Sequence, residues 1–387
     1  MSSSVDFTSF LKLMTHKKAS DLFITAGVPP SMKVHGRIAP ITQNALTPQQ
    51  SRDMVLNVMT PSQREEFEKT HECQFAISVT GVGRFRVSCF YQRNCVGMVL
   101  RRIETRIPTI EELSLPPIIK SLAMTKRGII IFVGATGTGK STSLAAMIGY
   151  RNQNSTGHII TIEDPIEYVH QHGGCIITQR ELGIDTDSWE NALKNTLRQA
   201  PDVIMIGEVR TRETMEHAIA FAETGHLVLC TLHANNANQA MDRIINFFPE
   251  DRRNQLFMDL SLNLKGVVAQ QLIPTPDGKG RRVAIEVMLG TPLIADYIRK
   301  GEIHKLKDVM KDSTNLGMCT FDQSLVALYH AGEISYEDAL RYADSANEVR
   351  LKIKLAQGGD ATSLAQGLGD VELVEDETKR GGFVFRG

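Results

Sequence analysis

The sequence predicts an α/β protein: a mostly parallel sheet sandwiched by helices around a phosphate-binding loop, preceded by a smaller α+β domain. Three observations carry this reading. The apolar run Gly128-Ile129-Ile130-Ile131-Phe132-Val133 passes directly into Gly134-Ala135-Thr136-Gly137-Thr138-Gly139-Lys140-Ser141 and then into the helix-forming stretch Thr142 to Ile148. From Gly128 onward, short apolar runs alternate with helical periodicity as in βαβ units. The first hundred residues instead mix strand patterns with helical ones, and Gly83 to Phe90 alternates strictly between polar and apolar residues.

The glycine-rich loop has the strand before it and the helix after it that its chemistry requires. Gly134, Gly137 and Gly139, with Thr136 and Thr138 between them, let the backbone wrap closely enough for its N–H groups to face phosphate oxygens. Thr142 belongs to the helix start, whose positive dipole end adds to the attraction. Lys140 is expected to reach the β- and γ-phosphates and the Ser141 hydroxyl to ligand Mg²⁺, so the expected cofactors are ATP and Mg. A chance glycine-rich turn would not bring the fixed spacing, the Lys-Ser pair and both flanks together.

The elements are expected in this order. A short amphipathic helix carries Phe7, Phe10, Leu11 and Met14. Strands follow at 21–25, 31–35 and 83–90, with helical patterns at 48–58 and 61–70 between them. Pro108, Pro116 and Pro117 mark 106–125 as a connector. Beyond it, strands are expected at 128–133, 158–163, 203–207 and 226–232, and helices at 140–151, 188–199, 212–224 and 236–247. A longer helix is expected at about 252–273, then a strand at 282–289 and a helical lobe to about 345. Seven of the chain's 30 glycines fall in its final 42 residues, beside the acidic cluster Asp370, Glu372, Glu375, Asp376 and Glu377, which reads as a disordered tail over 346–387. Phe383-Val384-Phe385 offers an alternative there, a docking hook.

Composition limits the function. The 387 residues are 42% hydrophobic with a formal net charge of -1, enough for two to three cored domains and without the basic excess of a nucleic-acid binder. The six cysteines (Cys73, Cys89, Cys95, Cys175, Cys230, Cys319) form no C-x-x-C pair and read as small buried hydrophobes in a reducing compartment. Neither a signal peptide nor a membrane-length apolar run is visible, so a cytoplasmic protein is expected, one able to dock on a membrane complex.

The expected strand ends supply the chemistry. The run Ile159-Ile160-Thr161-Ile162 leads into Glu163-Asp164-Pro165-Ile166-Glu167, three carboxylates where the γ-phosphate and attacking water should lie. Val203 to Ile206 leads into Gly207-Glu208, the place for an acid that secures Mg²⁺. Asp164 and Glu167 have an alternative as caps of the following segment. His233 closes the strand 226–232 near the γ-phosphate, and His226 opens it as a structural residue. Seven positions apart, the two rings face opposite sides and do not share a zinc ion. His170, His172 and Cys175 are a second metal alternative, weighed against a solvated loop.

Four boxes in order now carry a family resemblance over residues 1 to about 345: the glycine-rich loop, TIEDPIEY (Thr161 to Tyr168), PDVIMIGEVR (Pro201 to Arg210) and TGHLVLCTLHANNA (Thr224 to Ala237). Together they resemble the secretion ATPases of type IV pili. ASDLFITAGVPP (Ala19 to Pro30) and GRFRVSCFYQRN (Gly83 to Asn94) are similar to the retraction (PilT/PilU) branch, which lacks the zinc-binding tetracysteine insert of the extension motors. The chain departs from PilT-like members at Leu293 to Lys300, where their AIRNLIRE motif has lost its Arg-Asn pair. It departs again at Thr211 in place of Asp, at Phe23 in place of His and in its acidic tail. These departures resemble the auxiliary members of the branch.

The resemblance implies a PAS-like domain (1–105), a linker (106–125), a RecA-like ATPase domain with a C-terminal helical lobe (126–345) and the tail (346–387). It implies an ATP-hydrolysing homohexameric motor of pilus retraction and twitching motility, auxiliary to a PilT-like paralogue. Such a motor works peripherally at the inner membrane against the platform protein of the pilus machine, without zinc or nucleic acid. Glu163 would position or deprotonate the attacking water, Glu208 would secure Mg²⁺ with Ser141, and His233 would sense the γ-phosphate. Arg84, Arg86, Arg101 and Arg102 are candidates to reach a neighbour's phosphates in trans. Two other classes remain open at this point: a RecA-like nucleic-acid translocase, which a basic channel and DNA-stimulated ATPase would reveal, and an assembly factor that binds nucleotide without motor activity.

Overall fold

The computed structural model describes residues 7–34, 36–103 and 106–356. The chain divides into two compact units, Met1–Leu272 with Ile285–Thr320, and Ile273–Ala284 with Phe321–Gly387.

The first unit holds two sheets. Helix α1 (Phe7–His16) buries Phe10, Leu11 and Met14, the spacing of one helix face. Strands β1 (Asp21–Ile24), β2 (Ser31–Val34) and β3 (Arg37–Pro40) precede α2 (Pro48–Leu56) and α3 (Pro61–Thr70). Each of these helices starts with a capping box and a proline, Thr47 with Gln50 and Thr60 with Gln63, which satisfies the first free N–H groups. Strands β4 (Glu72–Val79), β5 (Gly83–Gln92) and β6 (Cys95–Ile103) complete a sheet of order β3-β2-β1-β6-β5-β4. The alternation in β5 does what its pattern predicts: Phe85, Val87 and Cys89 turn into a core with Leu22, Met98, Leu100 and Phe67, and the arginines turn away.

After α4 (Ile118–Ala123) the second sheet begins. Strand β7 (Gly128–Val133) is buried along its whole length, as suits a central parallel strand. It is followed by α5 (Lys140–Asn154), β8 (Gly157–Glu163), β9 (Cys175–Glu181), α6 (Trp189–Thr196), β10 (Val203–Ile206), α7 (Arg212–Glu223), β11 (Leu227–Leu232), α8 (Ala237–Asn246), α9 (Glu250–Asn263), β12 (Leu264–Pro274) and β13 (Arg281–Leu289). The sheet order is β13-β12-β7-β11-β10-β8-β9. All pairs from β12 to β9 are parallel, so the carboxyl ends of six strands share one edge. This is the α/β architecture the sequence predicts. Helices α10 (Pro292–Arg299) and α11 (Leu306–Asp312) close the unit.

Three expectations are corrected. The helix expected at 252–273 stops at Asn263, and Leu264–Pro274 is β12. Leu264 to Ala269 pair with Ile129 to Val133 of β7, and burying Val267, Val268 and Ala269 completely beside that strand outweighs the local periodicity. Strand β9 stands where only a loop was expected, because its polar Thr178, Gln179 and Arg180 hide an edge strand. The segment 346–356 belongs to a helix, α14 (Ala346–Ala356), with Val349 and Ile353 buried one turn apart. The acidic cluster and Phe383 to Phe385 lie outside the described residues.

In the second unit α12 (Phe321–His330), α13 (Tyr336–Arg341) and α14 pack together. Buried Asp322 accepts hydrogen bonds from the N–H groups of Asp344 (2.9 Å) and Ser345 (3.3 Å) at the approach to α14.

Candidate nucleotide site

The loop after β7 has little freedom to be anything else. Gly134 has φ +151°, and a Cβ there would lie 2.4 Å from Thr138 Oγ1 and 2.7 Å from the Gln270 carbonyl. Gly139 precedes α5 in the left-handed region at φ 92°, and among the described residues no side chain caps that helix. Its first N–H groups, left unpaired by helix geometry, open onto the loop, which suits an anion. Thr138 Oγ1 donates to the Ala135 carbonyl (2.9 Å), fixing the loop from within. Lys140 is 8% exposed and its Nζ donates to the carbonyls of Gly134 (2.8 Å) and Ala135 (2.9 Å). Burial pulls its pKa down, opposed by the charge of Glu208. Gly137, Thr136 and Ser141 are exposed on the same loop, and Thr142 Oγ1 meets the Tyr168 hydroxyl at 3.0 Å.

Because β7, β11, β10 and β8 lie side by side, the sequence-predicted residues form a row: the loop with Lys140, then His233 after β11, Glu208 after β10 and Glu163 at the end of β8. At ~4.8 Å per strand the row is about 14 Å long, a length suited to a triphosphate and an attacking water. Gly207 is required in it. Its N–H donates to the Ile162 carbonyl (2.7 Å), and a Cβ there would come within 3.1 Å of the Glu163 Cα. Thr231 Oγ1 donates to the Gly207 carbonyl at 2.6 Å, tying β11 to the same turn.

The two acids have opposite electrostatics. Glu163 is 7% exposed, and burial pushes its carboxyl up to about 7 against hydrogen bonds from Thr161 Oγ1 (2.6 Å) and Gln179 Nε2 (3.2 Å) to Oε1. A carboxyl poised there takes and releases protons near neutrality. At Glu208 burial also raises the pKa, but it is outweighed by the hydrogen bond from Arg210 (2.7 Å) and by the charges of His233, Arg210 and Lys140. Glu208 therefore stays ionised below the usual carboxylate range, the state a hard cation needs. His233 Nε2 stands 3.1 Å from Glu208 Oε1.

Other sequence-predicted residues separate. Asp164 and Glu167 are exposed on the loop after β8, and the Asp164-Pro165 bond is cis. His226 Nδ1 lies 3.0 Å from Thr224 Oγ1 and 3.1 Å from the Phe221 carbonyl, where it closes the turn after α7. Of the solvated loop expected around His170 and His172, residues 171–174 are exposed, but His170 is buried, which pushes its imidazole down to about 4, and its backbone N–H donates to Gln179 Oε1 (2.8 Å). His172 Nδ1 accepts from the Ile177 N–H (3.1 Å), and among the described residues no group of three His, Cys, Asp or Glu is placed to hold a metal.

The four arginines divide between two faces of the N-terminal sheet. Strand register puts Arg84, Arg86 and Arg101 on the face of β5 and β6 away from the domain core, and Arg102, opposite Phe85, on the other. Arg84 Nη2 pairs with Glu181 Oε2 (3.3 Å), Arg86 Nη2 donates to Gln74 Oε1 (2.9 Å) and Arg101 Nε donates to Asp21 Oδ1 (2.9 Å).

Sequence reasoning missed Thr161, Gln179 and Glu181. Thr161, two positions before Glu163 on one strand, shares its face and was open to detection. Gln179 and Glu181 carry no local signal, because only the pairing of β9 with β8 brings them to the site.

A parallel sheet with this loop, an ionised acid and a neutral-range acid in one row defines a RecA-like P-loop ATPase, here with a PAS-like α+β domain before it. The chain belongs to the family of Type II/IV secretion system proteins, which it matches over residues 5–320. It is 70% identical over 376 residues to the Type IV pilus ATPase PilU of Pseudomonas aeruginosa, covering 96% of this chain and 98% of that protein. The pilus retraction ATPase PilT of the same organism is 39% identical over 335 residues, covering 87% and 97%. The crystal structure of the pilus retraction motor PilT with bound ADP superposes with a TM-score of 0.83 at 39% identity, covering 89% of this chain and 99% of that one. Among the described residues no helix is long and apolar enough to cross a membrane.

Proposed function

We propose that this chain is the ATP-hydrolysing motor of type IV pilus retraction in an auxiliary role, working as a homohexamer beside a PilT-like paralogue. The observation that carries this reading is the row Lys140, His233, Glu208 and Glu163 along one sheet edge, in a chain near-full-length similar to a pilus ATPase. Lys140 and the N–H groups of the loop bind and orient the triphosphate. Glu163 positions a water and takes its proton, helped by burial that keeps its pKa near the working pH. His233, in contact with Glu208, reports whether a γ-phosphate is present.

The Ser141 hydroxyl and the ionised Glu208 carboxylate fit Mg²⁺, Ser141 directly and Glu208 through water. Bound there, Mg²⁺ would neutralise charge on the transferred phosphoryl. The proposed domains are residues 1–105 and 126–345, joined by 106–125, with α14 (Ala346–Ala356) added to the C-terminal helical lobe because it packs with α12 and α13. The chain acts in the cytoplasm at the inner-membrane base of the pilus, against its platform protein.

The deciding experiment is ATPase activity of the purified chain with and without DNA. Mg-dependent turnover indifferent to DNA is expected. DNA-stimulated turnover would favour a translocase, and nucleotide binding without turnover an assembly factor.

One departure from PilT-like members, Leu293 to Lys300, falls on α10 and its C-cap. Asp296 there is bound by Arg299 (2.6 Å) and Lys300 (2.5 Å), and Lys305 Nζ lies 5.3 Å from the centre of the Tyr297 ring. The Asp296 carboxylate is thus held by cations of its own helix end, which supports an auxiliary role.

A further inference from the structure

Edge strand β9 supports the loop that begins at the catalytic acid. Residues 179 and 181, two apart, share one face of β9, and Glu181 stands in register with Glu163 on β8. The Gln179 amide holds both ends of the loop: Nε2 donates to Glu163 Oε1 (3.2 Å) and the Tyr168 carbonyl (2.8 Å), and Oε1 accepts from the His170 N–H (2.8 Å). One residue beyond Glu181, the Leu182 N–H donates to the Glu163 carbonyl (2.9 Å). The Glu181 carboxylate, 2% exposed on its side chain, pairs with Arg84 of β5 at 3.3 Å. The strand that holds Glu163 is thus joined through this carboxyl group to the N-terminal sheet.

The pair is desolvated. The Arg84 side chain is 25% exposed, and its buried Nε has no hydrogen-bond partner among the described residues. Burial works to raise the Glu181 pKa, opposed by the charges of Arg84 and Arg86. A buried carboxylate whose cationic partner sits on a different sheet is costly to leave unpaired, so a shift of one sheet relative to the other acts on both groups. The acidic loop would feel that shift through β9, whose Gln179 and Leu182 bond to Glu163.

We infer that Glu181 is a positioning residue for ATP hydrolysis: through its ion pair with Arg84 and the pairing of β9 with β8 it ties the placement of Glu163 to that of the N-terminal sheet. Glu181 touches no substrate in this arrangement; it acts through the loop. The inference rests on the proposed ATPase mechanism and assigns part of the control of Glu163.

The test is steady-state ATPase of the full chain in its assembled form, with Glu181→Gln, Arg84→Gln and the double variant, alongside binding of a fluorescent ATP analogue and thermal melting. Glu181→Gln is expected to lower kcat about tenfold with KM and analogue affinity within about twofold. A role confined to stability would lower the melting temperature and leave kcat per folded enzyme unchanged. The double variant is expected to have nearly the kcat of the slower single variant, because both changes break one link. Glu181→Asp should recover part of the loss, and Arg84→Gln decides the matter if Glu181→Gln does not fold. Parental kcat in folded Glu181→Gln or Arg84→Gln, or losses that multiply in the double variant, would overturn the inference alone. An inactive parent chain would overturn the proposed function and this inference with it.

Discussion

His233 Nε2 and Glu208 Oε1 stand 3.1 Å apart, joining the ends of β11 and β10 in the row that faces the phosphate loop. Arg210 holds the other carboxylate oxygen of Glu208 at 2.7 Å, so the acid has one partner fixed by its own turn and one on the neighbouring strand. The second is the one able to change. On the proposed mechanism a γ-phosphate that draws the imidazole toward itself would take it from Glu208, so occupancy at one strand end would alter the field on the acid proposed to secure Mg²⁺ at the next.

His233→Gln is therefore expected to bind ATP within about twofold of the parent and to lose about ten- to a hundredfold in kcat, the scale of one positioned polar contact. Glu208→Gln should instead raise the Mg²⁺ concentration needed for half-maximal activity. A Mg²⁺ titration of both variants separates the roles, and the assignment fails if their metal requirements shift equally.

Glu163→Gln should keep nucleotide affinity and lose about a hundred- to ten-thousandfold in turnover, whereas Lys140→Ala should weaken binding itself. The parent's kcat should rise with pH and level off above about 7, where the Glu163 carboxyl loses its proton. Stability runs the other way. The folded pKa, about 7, exceeds the ordinary 4.5, so the stabilising proton is fully held below about 4.5 and lost as pH rises through 7. Glu163→Gln should then melt higher than the parent at pH 8, by about 2–4 °C for each kcal/mol relieved, and close to the parent at pH 4. Equal melting temperatures at pH 8 would show that the Glu163 burial costs nothing.

What the sequence made legible follows from how local each signal is. The phosphate loop, the strand-end acids and His233 are defined by residues next to a long apolar run, and the row they form follows from parallel strands sharing one edge. Val267 and Val268 lie in a run whose periodicity suits helix or strand, and only β7 alongside makes them strand. Gln179 and Glu181 look like surface residues of a polar segment until β9 pairs with β8. The arginines were open as a set, but their division between two faces depends on the β5 and β6 register.

Arg84 is paired with Glu181 within its own chain, while Arg86 donates to the uncharged Gln74 amide and acts on Glu181 through its charge without an ion pair. Arg86 is the member of the set freer to serve a neighbouring subunit. If it does, ATPase per subunit should rise with protein concentration as rings form, and Arg86→Ala subunits mixed into parental rings should depress activity beyond their share. Constant specific activity in a sample shown to be monomeric by light scattering would rule out shared sites.

The auxiliary role turns on α10. Ala295 and Asp296 occupy the places of the polar pair in PilT-like members, and the Asp296 carboxylate is already engaged by Arg299 and Lys300. A face satisfied within its own helix and the turn after it has less to offer a partner in the pilus machine. The chain should therefore strengthen retraction only beside a PilT-like paralogue. In cells that lack the paralogue and express this chain at normal levels, pilus retraction should be absent in a force measurement; robust retraction there would end the auxiliary reading. The route of docking is separable by deleting residues 360–387, a segment beyond α14. A tail that docks onto the paralogue would take co-purification with it when deleted and leave ATPase intact. A tail that serves only solubility would leave both unchanged.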